Sequence, residues 1–254
     1  MSKPAVLVTG GARRIGAEIV RCFGSAGWHV IIHHHCSHDE AERLAADLAS
    51  AETVQCDLAD PDAACRMARD LSQNQNDLRV LVNNAAVFEP DLVTRADPDV
   101  FDQAMRVNTL ASLMLAQAFL GNARSTAGRR VIQFTDQKLA NPNPDFFSYT
   151  MSKHAVASAV PMLAMGAARP QDRVYCLAPG AILASHDQSE AEADRSHRLN
   201  LLKRRTGAGE VAEAVLFLAE GSLASGQTLY VDSGQHLCSQ PRDVIYLARD
   251  MAGQ

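Results

Sequence analysis

The sequence has few aromatic residues, no long apolar run and no excess of basic residues. Aromatic residues make up 5% of its 254 residues, and one of them is tryptophan. No apolar run approaches the roughly 20 residues that a membrane-spanning helix needs. The 24 Lys and Arg residues are outnumbered by 29 Asp and Glu residues, which gives a net charge of −5. These properties argue against a membrane-spanning protein and against a surface that binds nucleic acid.

The sequence also lacks the signs of secretion and of a paired-cysteine site. The opening "MSKPAVLVTG" does not have the form of a signal peptide, because its apolar segment is short and runs into a glycine loop. The six cysteines are scattered and form no CxxC pair: Cys22, Cys36, Cys56, Cys65, Cys176 and Cys238. We therefore expect reduced thiols and a cytoplasmic location.

The sequence contains a regular alternation of short apolar runs and longer helical patterns. Seven runs read as buried strands: "AVLVT" (5–9), "WHVIIHH" (28–34), "TVQCD" (53–57), "LRVLVNNAA" (78–86), "RRVIQFTD" (129–136), "DRVYCLAP" (172–179) and "QTLYVDSG" (227–234). The alternation predicts an α/β fold, a single Rossmann-type domain over 1–254 with a doubly wound parallel sheet of about seven strands.

Two stretches stay open between a functional and an ordinary interpretation. The polar stretch 182–208 fits a substrate-binding loop or lid as well as a surface helix and loop. The final "SQPRDVIYLARDMAGQ" (239–254) is either an oligomer contact or a loose terminus.

The stretch "TGGARRIG" (9–16), between the first strand and the first helix, is a candidate phosphate loop. Glycine lets the backbone approach a pyrophosphate, and a helix N-terminus supplies free N–H donors. In isolation the pattern also fits a plain strand-to-helix turn. Two later stretches favour the nucleotide site: "NNAA" (83–86) after the fourth strand, and "SYTMSK" (148–153) at the start of the helix after the fifth.

These three motifs, in this order and on these elements, resemble the short-chain dehydrogenase/reductase family over nearly the whole chain. The resemblance implies that Tyr149 exchanges a proton with the substrate and that Lys153 holds the nicotinamide ribose. It implies that Asn108 holds a helix kink and a water beside Lys153. Its implied cofactor-binding positions are Gly10, Arg13, Arg14, Ile15, Gly16, His35, Ser37, Asp57, Leu58, Asn84, Ala85, Ala86, Tyr149, Lys153, Pro179, Gly180 and Ile182. The family often forms homotetramers through long helices, here 98–123 and 148–167.

The end of the second strand, "HHHCSH" (33–38), bears on the coenzyme. An acid at this point would bind the ribose 2′-hydroxyl and favour NAD, but the first acid is Asp39. We expect Arg13 and Arg14, in the glycine loop, to lie close to this strand end, and Ser37 is a hydrogen-bond donor for a phosphate. We therefore expect NADPH, with NADH as the alternative, although Cys36 stands where several relatives carry an arginine.

The three histidines in that stretch are not predicted to bind a metal ion. Consecutive strand residues point to alternate faces, so His33, His34 and His35 cannot converge on one ion. We expect them to line the adenine-ribose pocket or to be ordinary strand-end residues.

Tyr149 and Lys153 lie four residues apart and therefore share a helix face. A nearby ammonium is expected to lower the pKa of the tyrosine. Asp136, at the end of the fifth strand, replaces the serine that the family usually has. An ionised aspartate cannot donate a hydrogen bond to a carbonyl oxygen, which disfavours ketone reduction and favours a substrate with ring N–H groups.

Arg14, Phe88 and Asp136 together resemble the pteridine reductases and bacterial dihydromonapterin reductases of that family. The resemblance implies a pterin between Phe88 and the nicotinamide ring, with Arg14 at its polar edge and Asp136 assisting Tyr149 in protonation. These four residues are the predicted substrate site, although Phe88 also fits a core aromatic and Ala86 replaces a serine of some pteridine reductases.

The predicted reaction is therefore NADPH-dependent reduction of a C=N bond in a dihydropterin-like small molecule. The leading alternative is an NAD(P)H-dependent carbonyl reductase of the same family that acts on 3-oxoacyl or sugar substrates. A catalytically silent nucleotide sensor is a further alternative, but such proteins usually lose the tyrosine or lysine, and this sequence has both Tyr149 and Lys153.

Overall fold

Seven apolar segments form one sheet in which all neighbouring strands run parallel. The computed structural model describes residues 3–167, 169–185 and 187–252. The strands are β1 (Ala5–Val8), β2 (His29–His34), β3 (Ala51–Gln55), β4 (Leu78–Asn83), β5 (Arg130–Phe134), β6 (Arg173–Pro179) and β7 (Thr228–Val231). Their spatial order, β3-β2-β1-β4-β5-β6-β7, confirms the predicted doubly wound sheet.

Helices cover both faces of this sheet. They are α1 (Arg14–Ser25), α2 (His38–Ala46), α3 (Pro61–Asn74), α4 (Pro98–Ala104), α5 (Ser112–Asn122), α6 (Phe147–Gly166), α7 (Glu190–Ser196), α8 (Ala208–Glu220) and α9 (Val244–Ala252). Because strand side chains alternate, Val6 and Val8 pack into a core with α1 and α8, whereas Ala5 and Leu7 pack into a second core with α3 and α5. Each fully buried Val or Leu contributes about 1.5–3 kcal/mol.

Short polar residues start the helices that follow β3 and β4. The Asp60 carboxylate accepts hydrogen bonds from two backbone N–H groups of the first turn of α3, and Asp97 does the same for α4. A proline at the first helical position follows each aspartate. Proline fits there because its missing N–H would have no partner inside the helix.

The structure differs from the sequence expectation in the region before β5. The sequence predicts one helix over 98–123, whereas the chain forms α4, a π-helical segment (Met105–Ala111) and then α5. Asn108 lies in the π-helical segment. The helix is therefore irregular at this residue, where the resemblance implies a backbone kink.

The two stretches left open by the sequence are both partly helical. The stretch 182–208 contains α7, which is capped by a reciprocal pair of hydrogen bonds between Ser189 and Glu192. His186 of this stretch lies outside the described residues. The tail forms α9, and its last two residues, 253–254, also lie outside the described residues.

Two further features concern the described part of the chain. No helix in it is long and apolar enough to cross a membrane. Within the same residues, no group of three or more His, Cys, Asp or Glu side chains is arranged to hold a metal ion.

Candidate active site

Two connected clefts lie at the carboxyl ends of the strands, beside the point where the strand order reverses between β1 and β4. The outer cleft runs from the glycine loop past the end of β2 to the end of β4. The inner cleft lies between Tyr149, the start of the 182–208 stretch and the tail. The two clefts share the residues Arg14, Ile15, Asn84, Ala86, Phe88 and Tyr149.

Most of the predicted site residues line one of these clefts. The outer cleft contains the predicted cofactor residues Gly10, Arg13, Arg14, Ile15, Gly16, His35, Ser37, Asn84, Ala85 and Ala86. The inner cleft contains Phe88, Asp136, Tyr149, Lys153, Pro179, Gly180 and Ile182.

Asp57 and Leu58 differ from this expectation, because neither residue lines a cleft. The side chain of Leu58 is buried in the second core. The carboxylate of Asp57 accepts a hydrogen bond from the backbone N–H of Ala59 at 2.8 Å. Their predicted contact with the cofactor stays a prediction, and a carboxylate oxygen of Asp57 lies 3.9 Å from Nε2 of His35, which lines the outer cleft.

The glycine loop is tightly packed and depends on having no side chains at two positions. Gly10 adopts a φ of 62°, in the left-handed region that favours glycine. A Cβ atom at Gly16 would lie 2.1 Å from the carbonyl oxygen of Gly10. The loop is also tied to the end of β4, because Thr9 Oγ1 accepts hydrogen bonds from the backbone N–H groups of Asn84 (3.0 Å) and Ala85 (3.1 Å).

His33 binds the backbone of this loop through its imidazole ring, a role that the sequence did not predict. Its Nδ1 accepts a hydrogen bond from the backbone N–H of Gly10 at 3.1 Å, and its Nε2 lies 3.0 Å from the carbonyl oxygen of Cys56. Burial lowers the pKa of His33 to about 4, so the ring is neutral, with its proton on Nε2. Of the two alternatives left open for the three histidines, His33 fits the ordinary strand-end residue, since it is not among the residues that line the outer cleft; His34 and His35 do line that cleft.

The described lining of the outer cleft contains no carboxylate. The Ser37 side chain is buried at the start of α2. Arg13 Nη1 lies 3.7 Å from a carboxylate oxygen of Glu40, and both side chains are exposed. Such an exposed pair is worth about 0–1 kcal/mol and leaves the guanidinium available to a stronger anion.

The inner cleft contains a hydrogen bond between Tyr149 and Asp136. The Tyr149 hydroxyl donates to Asp136 Oδ2 at 3.0 Å. The other carboxylate oxygen of Asp136 accepts from the backbone N–H of Lys138 at 2.9 Å. Burial raises the pKa of Asp136, against the opposing effect of the Lys138 ammonium. The neutral acid form of Asp136 therefore persists to a higher pH than that of an ordinary aspartate, and in that form the group is able to donate a hydrogen bond.

This raised pKa weakens one step of the sequence argument. That step disfavoured simple ketone reduction on the ground that Asp136 is ionised. A neutral carboxyl group is a hydrogen-bond donor, so the side chain itself does not rule out a carbonyl substrate.

The expectation that Lys153 lowers the pKa of Tyr149 is wrong. Burial, followed by the charge and hydrogen bond of Asp136, raises the pKa of Tyr149 well above its usual value. The Lys153 Nζ lies 5.5 Å from the centre of the tyrosine ring and donates to the carbonyl oxygen of Phe134 at 2.8 Å. Burial in turn lowers the pKa of Lys153 to about 8.

Asn108 connects the end of β4 to α6 from a buried position. Its side chain forms two hydrogen bonds with the backbone of Val87, at 2.8 and 3.0 Å, and donates to Ser152 Oγ at 3.0 Å. Its described side-chain contacts do not include Lys153. The asparagine therefore fixes the segment that carries Phe88 against the helix that carries Tyr149.

Phe88 and Arg14 both lie where the clefts meet. Phe88 is half-buried; its ring stacks on Phe146, with centroids 4.2 Å apart, and meets Tyr149 edge-on at 4.7 Å. Arg14 has a φ of 56°, in the left-handed region that favours glycine. Glycine is common at this position for that reason, and an arginine in the same conformation lowers the stability of the fold by about 1 kcal/mol or more. Its Nη2 donates to the carbonyl oxygen of Ala184 at 2.8 Å, so Arg14 joins the glycine loop to the 182–208 stretch.

The structure adds residues to the inner cleft that the sequence did not single out. They come from the turn after β5, from the 182–208 stretch and from the tail: Gln137, Lys138, Gln188, His197, Asp243, Val244 and Ile245. Of these, the tail residues had a signal in the sequence, since an aspartate before an apolar helical pattern predicts a helix start. Nothing in the sequence placed that helix at the cleft.

The fold and site define a Rossmann-type oxidoreductase whose tyrosine and lysine share a helix face at the cleft. Comparison with known proteins gives the family. A family model described as enoyl-(acyl carrier protein) reductase matches residues 10–236. The chain belongs to the short-chain dehydrogenase/reductase family.

Relatives that match over most of their length carry different activities. Pteridine reductase 1 of Leishmania tarentolae is 28% identical, with 92% of this chain and 96% of the relative covered. A dihydromonapterin reductase of Escherichia coli is 26% identical, with 91% and 96% covered. The granaticin polyketide synthase putative ketoacyl reductase 2 of Streptomyces violaceoruber is 29% identical, with 92% and 96% covered.

A solved structure of similar fold was determined with a bound coenzyme. FolM alternative dihydrofolate reductase 1 from Brucella canis, complexed with NADP, has a TM-score of 0.87 and is 34% identical, with 94% of this chain and 96% of that chain covered. Together the matches confirm the predicted family, with pteridine and dihydromonapterin reductases among its relatives.

Proposed function

We propose that this protein is an NADPH-dependent reductase of a dihydropterin-like heterocycle. The observation that carries the proposal is the hydrogen bond between the Tyr149 hydroxyl and Asp136 Oδ2. It places an acidic pair beside Phe88, in a cleft that also reaches the glycine loop. The named activities of the pteridine and dihydromonapterin reductase relatives are consistent with this chemistry.

The outer cleft has the features that a dinucleotide phosphate requires. Its glycine loop lies at the N-terminus of α1, where backbone N–H groups are free to bind an anion. Arg13, Arg14 and Ser37 would bind the phosphates, and the described lining has no carboxylate to repel a 2′-phosphate. The Brucella canis relative, solved with NADP, supports the same coenzyme over NADH.

The proton in this reaction comes from the Tyr149–Asp136 pair. A bound nicotinamide would supply the hydride to the carbon of the C=N bond. Tyr149 gives its proton to the nitrogen and takes one from the carboxyl group of Asp136, so the bond becomes CH–NH. The raised pKa of Asp136 extends the pH range over which it carries this proton, and solvent restores the proton after turnover.

Phe88 would hold one face of the substrate ring. Phe146 covers one face of Phe88, while Phe88 still lines both clefts. A flat heterocycle stacked on such a ring gains about 0.5–1.5 kcal/mol beyond the area that it buries. Arg14, already anchored to Ala184, would contact the polar edge of the substrate and the cofactor phosphate.

A kinetic comparison of substrates tests this proposal. The purified enzyme would be assayed for oxidation of NADPH and NADH with dihydropterins and with a panel of 3-oxoacyl and sugar ketones. We expect kcat/KM for a dihydropterin to exceed that for every ketone by about a hundredfold or more. Equal or better turnover of a ketone would refute it, and Tyr149→Phe controls for reduction that does not use the site.

A carbonyl reductase is the second candidate. The polyketide ketoacyl reductase relative supports it, and the neutral form of Asp136 would serve as the hydrogen-bond donor to the carbonyl oxygen. The same substrate panel separates the two candidates.

The assembly proposed for this enzyme is a homotetramer, working in the cytoplasm. Its support is a set of large apolar side chains exposed on the π-helical segment and α6: Leu110, Met151, Met162 and Met165. Sedimentation velocity would give about four times the mass of one chain, 27.4 kDa. A monomer at micromolar concentration would refute the tetramer.

A further inference from the structure

The tail segment, residues 238–252, crosses the inner cleft and is held to both of its walls. Its contribution to the cleft consists of Asp243, Val244 and Ile245. The predicted roles of a loose terminus or of a contact between subunits do not account for this position.

The first anchor of the tail segment is the turn that follows β5 and leads to α6. Lys138 Nζ lies 2.8 Å from Asp243 Oδ2, and both side chains are more than nine-tenths buried. Arg242 Nε donates to Asp145 Oδ2 at 2.8 Å, and the backbone N–H of Asp243 donates to the same oxygen at 2.8 Å. Breaking a buried pair of this kind leaves an uncompensated charge, so the attachment is strong.

The second anchor is the 182–208 stretch. Arg249 on α9 pairs with Asp187 and with Glu192, each at 3.0 Å. The side chain of Gln240 donates to the carbonyl oxygen of Leu199 at 2.6 Å. The tail segment therefore joins the two walls of the inner cleft, and the distance between those walls depends on it.

The tail segment also supports the aromatic group at the cleft. Ile245 packs in one apolar cluster with Phe146 and Tyr149. Tyr246 stacks beside Phe146, with centroids 6.1 Å apart, and Phe146 stacks on Phe88. A change in the tail is thereby passed through Phe146 to the ring that would hold the substrate.

We infer that the tail segment is a substrate-specificity element of the active site. Val244 and Ile245 form an apolar wall for the substituent of the ring substrate, and the Lys138–Asp243 pair fixes the turn that carries Asp136. The wall favours an apolar substituent over an anionic one, because Val244 and Ile245 line the cleft beside the Asp243 carboxylate, whose ammonium partner Lys138 is already paired with it. The nature of the ring rests on the proposed function; the role of the tail does not.

The test compares two alanine variants on the same helix. Ile245→Ala shortens the wall, while Met251→Ala is the control, because Met251 is 64% exposed and does not line the cleft. We expect Ile245→Ala to raise KM about tenfold for a dihydropterin with a neutral side chain. Losing about half of the free energy gained by burying an isoleucine side chain corresponds to a tenfold change in affinity. The kcat should stay within about twofold, and the Kd for NADPH should not change in either variant.

A second substitution guards against a merely structural effect. Ile245→Phe extends the wall, so it should exclude a dihydropterin with a bulky side chain while an unsubstituted one is still reduced. Equal KM values for Ile245→Ala and Met251→Ala, together with an unchanged substrate range in Ile245→Phe, would overturn the inference.

Failure of the proposed function would be recognised separately. It is read from the wild-type enzyme alone, as absence of dihydropterin turnover. The three variants would then be compared on a size series of whichever ketones the wild type reduces. If it reduces none, calorimetry would measure the Kd of an oxidised pterin for the complex of each enzyme with NADP. The ratios of Kd between each variant and the wild type would then take the place of the KM ratios in testing the role of the tail segment.

Discussion

Replacing Asp136 with serine is expected to separate the proposed pterin reduction from carbonyl reduction in one enzyme. The change removes the carboxylate that accepts from the Tyr149 hydroxyl at 3.0 Å and from the backbone N–H of Lys138 at 2.9 Å. It restores the hydroxyl group that the resemblance to the family assigns to this position. The Tyr149 phenol remains, but its source of a replacement proton is lost.

The expected loss follows from the acid–base role of the pair. A positioned general acid is worth about 10²–10⁴ in rate, and retention of Tyr149 places the loss at the lower end of this range. We expect kcat/KM for a dihydropterin to fall about a hundredfold, which corresponds to about 2.7 kcal/mol of transition-state stabilisation. Turnover of a ketone should be unchanged or improved, because the serine hydroxyl donates directly to a carbonyl oxygen.

The pH profile gives this prediction a second readout. Burial raises the pKa of Asp136, so the neutral acid persists to a higher pH than an ordinary aspartate. Pterin reduction by the wild type should fall as the pH rises through that pKa, because the proton donor is lost. The variant with serine at this position should lack that fall.

The assay is NADPH oxidation under steady-state conditions, with Asp136→Asn as the matched control. Asparagine keeps the shape of the side chain but has no acidic proton, so it should reduce pterin turnover as much as serine does. The reasoning would be refuted if both variants kept wild-type pterin turnover, or if pterin and ketone rates fell equally.

Four further predictions concern binding and stability. His33→Ala leaves the Gly10 N–H without its partner, so the Kd for NADPH should rise about tenfold, by calorimetry; an unchanged Kd would contradict this. Because its pKa is lowered to about 4, His33 also contributes stability above pH 6.5 that is lost as the pH falls toward 4, which acid unfolding would detect. Phe88→Ala should raise KM for a dihydropterin about tenfold at unchanged NADPH affinity. Asp136→Asn should raise the free energy of unfolding in urea at neutral pH by about 1 kcal/mol, since it removes a carboxylate whose charged form is disfavoured by burial; destabilisation would count against that view.

The parts of the fold that the sequence predicted are those determined by local patterns. Continuous apolar runs become strands because both faces of the sheet are covered, as for Val6 and Leu7, which are both buried. The helical spacing of Tyr149 and Lys153 places both at the inner cleft as expected. The glycine loop was also predictable from a local pattern, because Gly10 and Gly16 stand at positions where a side chain would be strained or obstructed.

The parts that the sequence did not predict depend on contacts between distant segments. The direction of the Tyr149 pKa shift depends on burial and on which oxygen of Asp136 meets the phenol, and neither is visible in the spacing. The tail segment was assigned no site because its helical pattern identifies α9 but not the partner of Asp243, which is Lys138 in the turn after β5.

The central claim is that a flat heterocycle binds against Phe88 with a ring nitrogen at the Tyr149–Asp136 pair. The most direct measurement is a crystal structure of the enzyme with NADP and an oxidised pterin. The account predicts a pterin parallel to the Phe88 ring, with one ring nitrogen about 3 Å from the Tyr149 hydroxyl, the distance of a hydrogen bond. A pterin bound elsewhere, or one whose nitrogen atoms all lie outside hydrogen-bond reach of Tyr149 and Asp136, would contradict it.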